Sequence, residues 1–286
     1  MSNGPTTALQ CFASIGLLYD ARILGPALQR YPAAGQDARQ ALALFLSFYG
    51  HERQGSSPNY APAAAEAVMR SSELSGPLVW KMYVGFLPGI KLNVANNPLS
   101  PKGTAFVRKG ADRKTLQPSI IEFVIGAPDR LNLIAWAREQ LASDHTREAH
   151  SVLCQVNGLG PKIASFFLRD VATTYKAQPN SNRHLLQPVD VWVSRLAGLT
   201  CEQTSFATWD ACARAVVDSA EGAGVSPERV NQGMWYFATQ VCGSSEYVVE
   251  RTIREQSIWQ SVEDHIRQLT ESSAKTTRAW ERLACR

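Results

Sequence analysis

The sequence predicts an all-α protein, and three observations carry that expectation. Apolar residues recur at helical spacing along most of the 286-residue chain, as Ala41, Leu42, Leu44, Phe45 and Phe48 do within 37–50. Helix punctuation flanks several of these runs, such as Ser226-Pro227, with serine suited to the cap and proline to the first helical position. Apolar residues make up 45% of the composition, enough for a substantial core in one domain or two closely packed ones.

From the N-terminus, residues 1–7 read as frayed and 8–28 as helix, with Gly25-Pro26 as a break signal. Residues 37–50 read as a second helix and 55–62 as a turn region, followed by short helices at 63–72 and 78–86. The segment 88–110 is the least helical part. It carries Pro88-Gly89, Asn96-Asn97-Pro98 and Pro101, and suits either short strands or a long loop. Helices are expected over 116–125, 131–141, 147–156 and 161–174. A polar linker, 175–187, leads to a short helix at 191–196. Longer helices are expected at 206–221, 227–241 and 249–269, and a polar stretch at 270–277 interrupts the tail. No internal repeat or low-complexity tract stands out.

Charge and cysteine usage narrow the classes. Lys and Arg number 29 against 25 acidic residues, a net charge of +4 with a pI near 8.8, which permits a nucleic-acid partner without requiring one. The six cysteines, at 11, 154, 201, 212, 242 and 285, form no CxxC half-site, and a chain of this size does not need disulfide staples. Scattered reduced thiols are therefore expected. Leu9 to Ala21 lacks the basic start and long apolar run of a signal peptide, and no run of 18 apolar residues suggests a membrane span.

The most informative stretch is V-L-C-Q-V-N-G-L-G-P-K-I-A-S-F-F-L-R-D at 152–170. Its first part closes one helix, and Asn157, Gly158, Leu159 and Gly160 make a very short turn. Pro161 opens the next helix. The two glycines permit unusual backbone angles and close approach of another surface, while Leu159 plugs the seam between the helices. N–H groups at the start of the second helix suit a phosphate. Lys162 lies in the first turn, at the positive end of the helix dipole, a setting that favours an amine acting as nucleophile. A lysine that simply meets a DNA phosphate is the plainer reading of the same position. Beyond a polar linker comes Pro188-Val189-Asp190-Val191-Trp192, in which Asp190 reads as a helix cap.

N-G-L-G-P-K-I-A at 157–164 and P-V-D-V-W at 188–192 together resemble the helix-hairpin-helix DNA glycosylase superfamily. The stretch that carries the resemblance, 152–196 with its linker, is about 45 residues long, and the resemblance implies two helical regions flanking an active-site groove. It makes Lys162 the residue that attacks the sugar C1′ and forms a Schiff base. It makes Asp190 the carboxylate that promotes base departure, and it implies strand cleavage by β-elimination. F-F-L-R-D, Q-P-V-D-V-W and N-Q-G-M-W-Y-F look most like the 8-oxoguanine glycosylase/lyases, especially their archaeal-type group, which lacks an iron–sulphur cluster. Trp192 stands where many eukaryotic-type relatives have histidine, and the 28-residue spacing from Lys162 to Asp190 exceeds the common one.

On this reading the chain divides into 1–130, an N-terminal region with irregular segment 88–110; 131–250, the hairpin region that carries catalysis and DNA binding; and 251–286, a helical extension packed on the fold. Phe166, four residues beyond Lys162, and Trp235 suit the walls of a pocket for an extruded base, and Gln232 suits its hydrogen-bonding edge, with core packing as the plainer account of each. Arg195 is expected to join the hairpin residues in contacting phosphate, and Arg147, Arg169, Lys176, Arg183 and His184 add basic character nearby. No cofactor or catalytic metal is required. The resemblance allows a structural monovalent cation on hairpin carbonyls near Cys154 and Val156. The expected partner is double-stranded DNA holding a damaged base, bound by a monomer without a membrane. The expected location is cytoplasmic and nucleoid-associated in a prokaryote, nuclear in a eukaryote. Removal of another modified or mismatched base, and a non-catalytic DNA-binding role, are the alternatives.

Overall fold

A computed structural model describes residues 5–50, 60–85, 116–156, 158–201 and 205–269. Within them every regular element is helical, so the described residues form an all-α fold as expected. In chain order the helices are α1 (Pro5–Tyr19), α2 (Gly25–Arg30), α3 (Ala38–Leu44), α4 (Tyr60–Arg70), α5 (Gly76–Gly85), α6 (Leu116–Ile125) and α7 (Leu133–Ala142). Then follow α8 (Thr146–Cys154), α9 (Pro161–Thr174), α10 (Val191–Thr200), α11 (Trp209–Gly222), α12 (Pro227–Tyr236) and α13 (Glu246–Arg254), with a further helical run at 258–269. The irregular segment expected at 88–110 and the polar stretch at 270–277 lie outside the described residues.

The chain forms two compact units, Ala21–Pro188 and a second made of Met1–Asp20 with Val189–Arg286. Packing in the second unit joins segments that are far apart in sequence.

In the unit Ala21–Pro188, α9 is the central helix. Ile163, Ala164, Phe167, Leu168, Val171 and Ala172 are buried in one core with Leu42, Phe45 and Tyr49. Phe45 meets the Phe167 ring edge-on at 5.2 Å. The same helix buries a charged pair. Arg169 binds the Asp170 carboxylate through Nε at 2.9 Å and Nη2 at 2.8 Å, and the Tyr49 hydroxyl donates to that carboxylate at 3.4 Å. Both charges are almost wholly buried, so loss of either partner alone would strand the other, at about 3–5 kcal/mol. Arg39 closes α4 from outside by donating to the Ser71 and Ser72 carbonyls, a suitable place for a cation at the negative end of a helix.

In the other unit, α1 packs against α12 along a seam that depends on glycine. A Cβ on Gly233 would collide with the Phe12 carbonyl, and one on Gly16 with the Arg229 carbonyl. The backbones approach closely only because both positions lack side chains. Arg229 pairs with Asp20 beside this seam and donates to Gln232 at 3.1 Å. Phe12 packs edge-on against Phe237 at 5.6 Å, adding apolar contact.

Two expectations are adjusted. Gly25-Pro26 does not break the first helical run, because the wider turn Asp20–Leu24 precedes it. A proline ring strains the carbonyl four residues back, here that of Arg22, and the wide turn contains that residue. By length and composition, the resulting helix Ala8–Arg30 could cross a membrane, although Leu9, Phe12, Ile15 and Tyr19 on it are buried. The expected helix 249–269 is two helices. Gln256 adopts φ +54°, Gln256 N–H donates to Ile253 and Ser257 N–H to Thr252, which closes α13 with a left-handed residue where glycine is usual. Val249 on one helix and Ile258 and Val262 on the next are all buried.

The α1–α12 seam yields a first prediction. Gly233→Ala is expected to lower the unfolding free energy by about 1–3 kcal/mol through overpacking. Urea denaturation measures this, and an unchanged midpoint would contradict the close approach.

Candidate functional site

The hairpin is built from α8 and α9. Gly158 adopts φ +95°, which a side-chain-bearing residue resists, so this glycine is required by the turn. Leu159 N–H donates to the Val156 carbonyl at 2.9 Å and closes the loop. Leu159 is 5% exposed and packs in the core with Val156 and Ile163. That burial holds the turn against both helices. Asn157 lies outside the described residues.

Gly160 is different. It caps α9 in an extended conformation, φ −97° and ψ 171°, which any residue adopts. Among the described residues, a Cβ added there meets nothing within 4 Å. Neither the backbone nor the packing of the described residues asks for glycine at this position. Pro161 follows at the first helical position, and the Gly160 carbonyl accepts from Ile163 and Ala164 N–H at 3.0 and 3.1 Å. Lys162 is exposed in that first turn. The hairpin thus presents a bare backbone and an adjacent lysine to its surroundings.

The two helices are also joined by His150 of α8. Its Nε2 lies 3.3 Å from the Pro161 carbonyl and 3.1 Å from Ser165 Oγ, and its Nδ1 lies 3.7 Å from Cys154 Sγ. A carbonyl can only accept, so the bond to Pro161 requires the Nε2–H tautomer, leaving Nδ1 to accept from the Cys154 thiol. Burial pushes the His150 pKa below its ordinary value, opposed by the hydrogen bond to the Pro161 carbonyl. Burial also raises the Cys154 thiol, which keeps it protonated and able to donate. Composition gives no sign of this group. The only clue is His150 and Cys154 one turn apart on the helix that enters the hairpin.

The linker after α9 is tied back to this region. Ser181 N–H donates to Asp144 Oδ1 at 2.9 Å, and Arg147 donates to Asn182 at 3.0 Å. The bond from Ser181 holds the Asp144 carboxyl below its ordinary pKa. Of the basic residues near the hairpin in sequence, Arg169 is buried against Asp170 and Phe166, which removes it from phosphate contact. Phe166 is half-buried, with its ring 5.0 Å from Tyr49 and 5.7 Å from Phe48.

The other candidates belong to the second unit. Asp190 is the cap of α10, and its Oδ1 accepts Trp192 N–H at 2.9 Å and Val193 N–H at 3.0 Å. Arg195, one turn along α10, pairs with Glu246 at 2.5 Å. Trp235 is half-buried and stands edge-on to Tyr19 at 5.9 Å. Gln232 is wholly buried, and its side-chain oxygen accepts from Arg229 beside the α1–α12 seam. The five described cysteines are free, and burial pushes the thiols of Cys212 and Cys242 up to about 12, which makes them poor nucleophiles. Among the described residues no group of three His, Cys, Asp or Glu side chains could hold a metal ion.

No family model, no curated protein and no solved structure matches this chain.

The half-buried histidine gives a pH dependence of known sign. Its folded pKa lies below its unfolded value near 6.5, so the unfolded chain binds more protons just below that pH. The contribution of neutral His150 is complete above pH 6.5 and is lost as the pH falls through the folded value. Denaturation curves of the native protein and His150→Gln between about pH 7 and pH 5 should show the smaller acid loss in the variant. Equal losses would contradict the assignment.

Proposed function

We propose that this chain is a base-excision DNA glycosylase with an associated lyase activity, acting on an oxidised purine such as 8-oxoguanine in duplex DNA. The observation that carries the proposal is the open face at Gly160 beside exposed Lys162. A glycine that the fold does not require, at the start of a helix, suits close approach of a phosphate to backbone N–H groups. The finer fold reading, a helix-hairpin-helix glycosylase with a groove between two helical regions, belongs to the same proposal.

The chemistry follows from the residue types. The damaged nucleotide leaves the stack, and the bond from C1′ to the base breaks with its electron pair departing on the base, which takes a proton from water. Positive charge develops at C1′, and the Asp190 carboxylate stabilises it. The Lys162 amine donates its electron pair to C1′, and one of its protons passes to the ring oxygen as the C1′–O4′ bond breaks, which leaves a protonated Schiff base. Loss of a proton from C2′ then breaks the C3′–O bond and cuts the strand. Asp190 combines this role with its structural one, since its bonds to Trp192 and Val193 N–H fix the carboxylate at the start of α10. A monovalent cation at the hairpin would rest on carbonyls near Cys154 and Val156, the latter of which already accepts Leu159 N–H. No step above depends on that ion.

Borohydride trapping on duplex DNA containing 8-oxoguanine tests the proposal. A covalent adduct is expected with the native protein and none with Lys162→Ala. Asp190→Asn preserves the cap through its amide oxygen, so it should keep its thermal stability and duplex affinity while base excision falls by about a hundredfold or more. An adduct only with a different modified base would redirect the substrate. Duplex binding without any adduct would leave a DNA-binding module and overturn the enzyme.

A further inference from the structure

We propose that His150 is the positioning residue for Lys162, holding the peptide unit that carries the lysine in the orientation needed to reach C1′. The inference rests on the glycosylase/lyase reading of the hairpin. Its basis is a single peptide plane. The Pro161 carbonyl that receives the His150 Nε2–H belongs to the same planar unit as the Lys162 nitrogen. Fixing that oxygen fixes the direction in which the Lys162 backbone leaves Pro161.

The second bond strengthens the grip. Ser165 lies one turn beyond Pro161, is 6% exposed, and meets the same imidazole nitrogen at 3.1 Å. His150 therefore spans the first turn of α9 on the side of α8, with Lys162 between its two anchor points in the chain. Cys154 Sγ at Nδ1 sets the ring from behind. The turn that joins α8 to α9 has Gly158 and Gly160 in it, and glycine lowers the barrier to local rearrangement. Leu159 anchors the turn by apolar packing, which has little directionality. Backbone bonds from Leu159 to Val156 and from Ile163 and Ala164 to Gly160 add direction, and the histidine adds a side-chain restraint on the Pro161 carbonyl itself. A nucleophile misplaced by about 1 Å loses up to a hundredfold in rate, so this restraint acts on the chemical step rather than on DNA attachment.

The test separates binding from chemistry. His150→Ala, His150→Gln and the native protein are compared for affinity to duplex DNA holding an abasic site and for the single-turnover rate of borohydride trapping. His150→Ala is expected to trap about tenfold to a hundredfold more slowly with affinity within about twofold of native. His150→Gln offers an amide N–H to the Pro161 carbonyl and should recover most of that rate. Native-rate trapping by His150→Ala would overturn the proposal. So would a parallel loss of rate and affinity that glutamine does not rescue, since that marks a structural role alone.

The Lys162 backbone amide resonance supplies a readout that needs no DNA. It should shift in His150→Ala and return in His150→Gln. If the native protein forms no adduct, the enzymatic reading fails, and the amide resonance still decides whether His150 positions Lys162. An unchanged resonance in His150→Ala would overturn the positioning role by itself.

Discussion

Burial of Leu159 between α8 and α9 is the constraint on which the site depends. The side chain is held in the core of the Ala21–Pro188 unit, so the turn around it cannot drift outward. Gly158 supplies the left-handed angle that lets the chain reverse there. With the turn pinned, Gly160 and Pro161 start α9 at a fixed place, and Lys162 follows in an exposed first turn. The same helix continues inward, where Phe167, Leu168 and the Arg169–Asp170 pair lock it to the core. One helix thus joins the most buried part of the unit to its exposed lysine.

Rigidity and openness are divided between neighbouring residues. Gly158 is a glycine the backbone needs, whereas Gly160 is one it does not. A side chain at the helix cap would ordinarily improve stability, since serine, threonine, aspartate and asparagine all accept a backbone N–H there. The chain uses that device at Asp37, Asn132, Asp190, Thr208, Ser226 and Ser245. At α9, as at α2 and α8, it makes no side-chain cap. Departures from locally favourable chemistry concentrate at functional sites, and this one sits beside the lysine.

Local features were legible in the sequence. The limits of α6 and α9 follow from apolar spacing and from Pro161, and the cap at Asp190 follows from its position before an apolar run. The hairpin was legible because all its parts are adjacent. The pairing of α1 with α12 was not, because it depends on Gly16 and Gly233 meeting backbone from the opposite helix, and nothing in either segment names the other. The same long-range packing places 1–20 and 189–286 in one unit. Gln256 was missed because a left-handed glutamine carries no propensity signal. His150 was missed because its importance lies in a carbonyl and a hydroxyl on the next helix.

If the chain acts as proposed, the hairpin's bare cap exists for a phosphate and not for the fold. Gly160→Ser separates these directly, with thermal unfolding and duplex-DNA affinity measured on the same variant. Serine fits the extended backbone and the open space at this cap, so the melting temperature should hold or rise. Affinity for duplex DNA should fall about tenfold to a hundredfold, the loss expected when a charge-assisted hydrogen bond to phosphate is obstructed. Unchanged affinity at native stability would contradict the account.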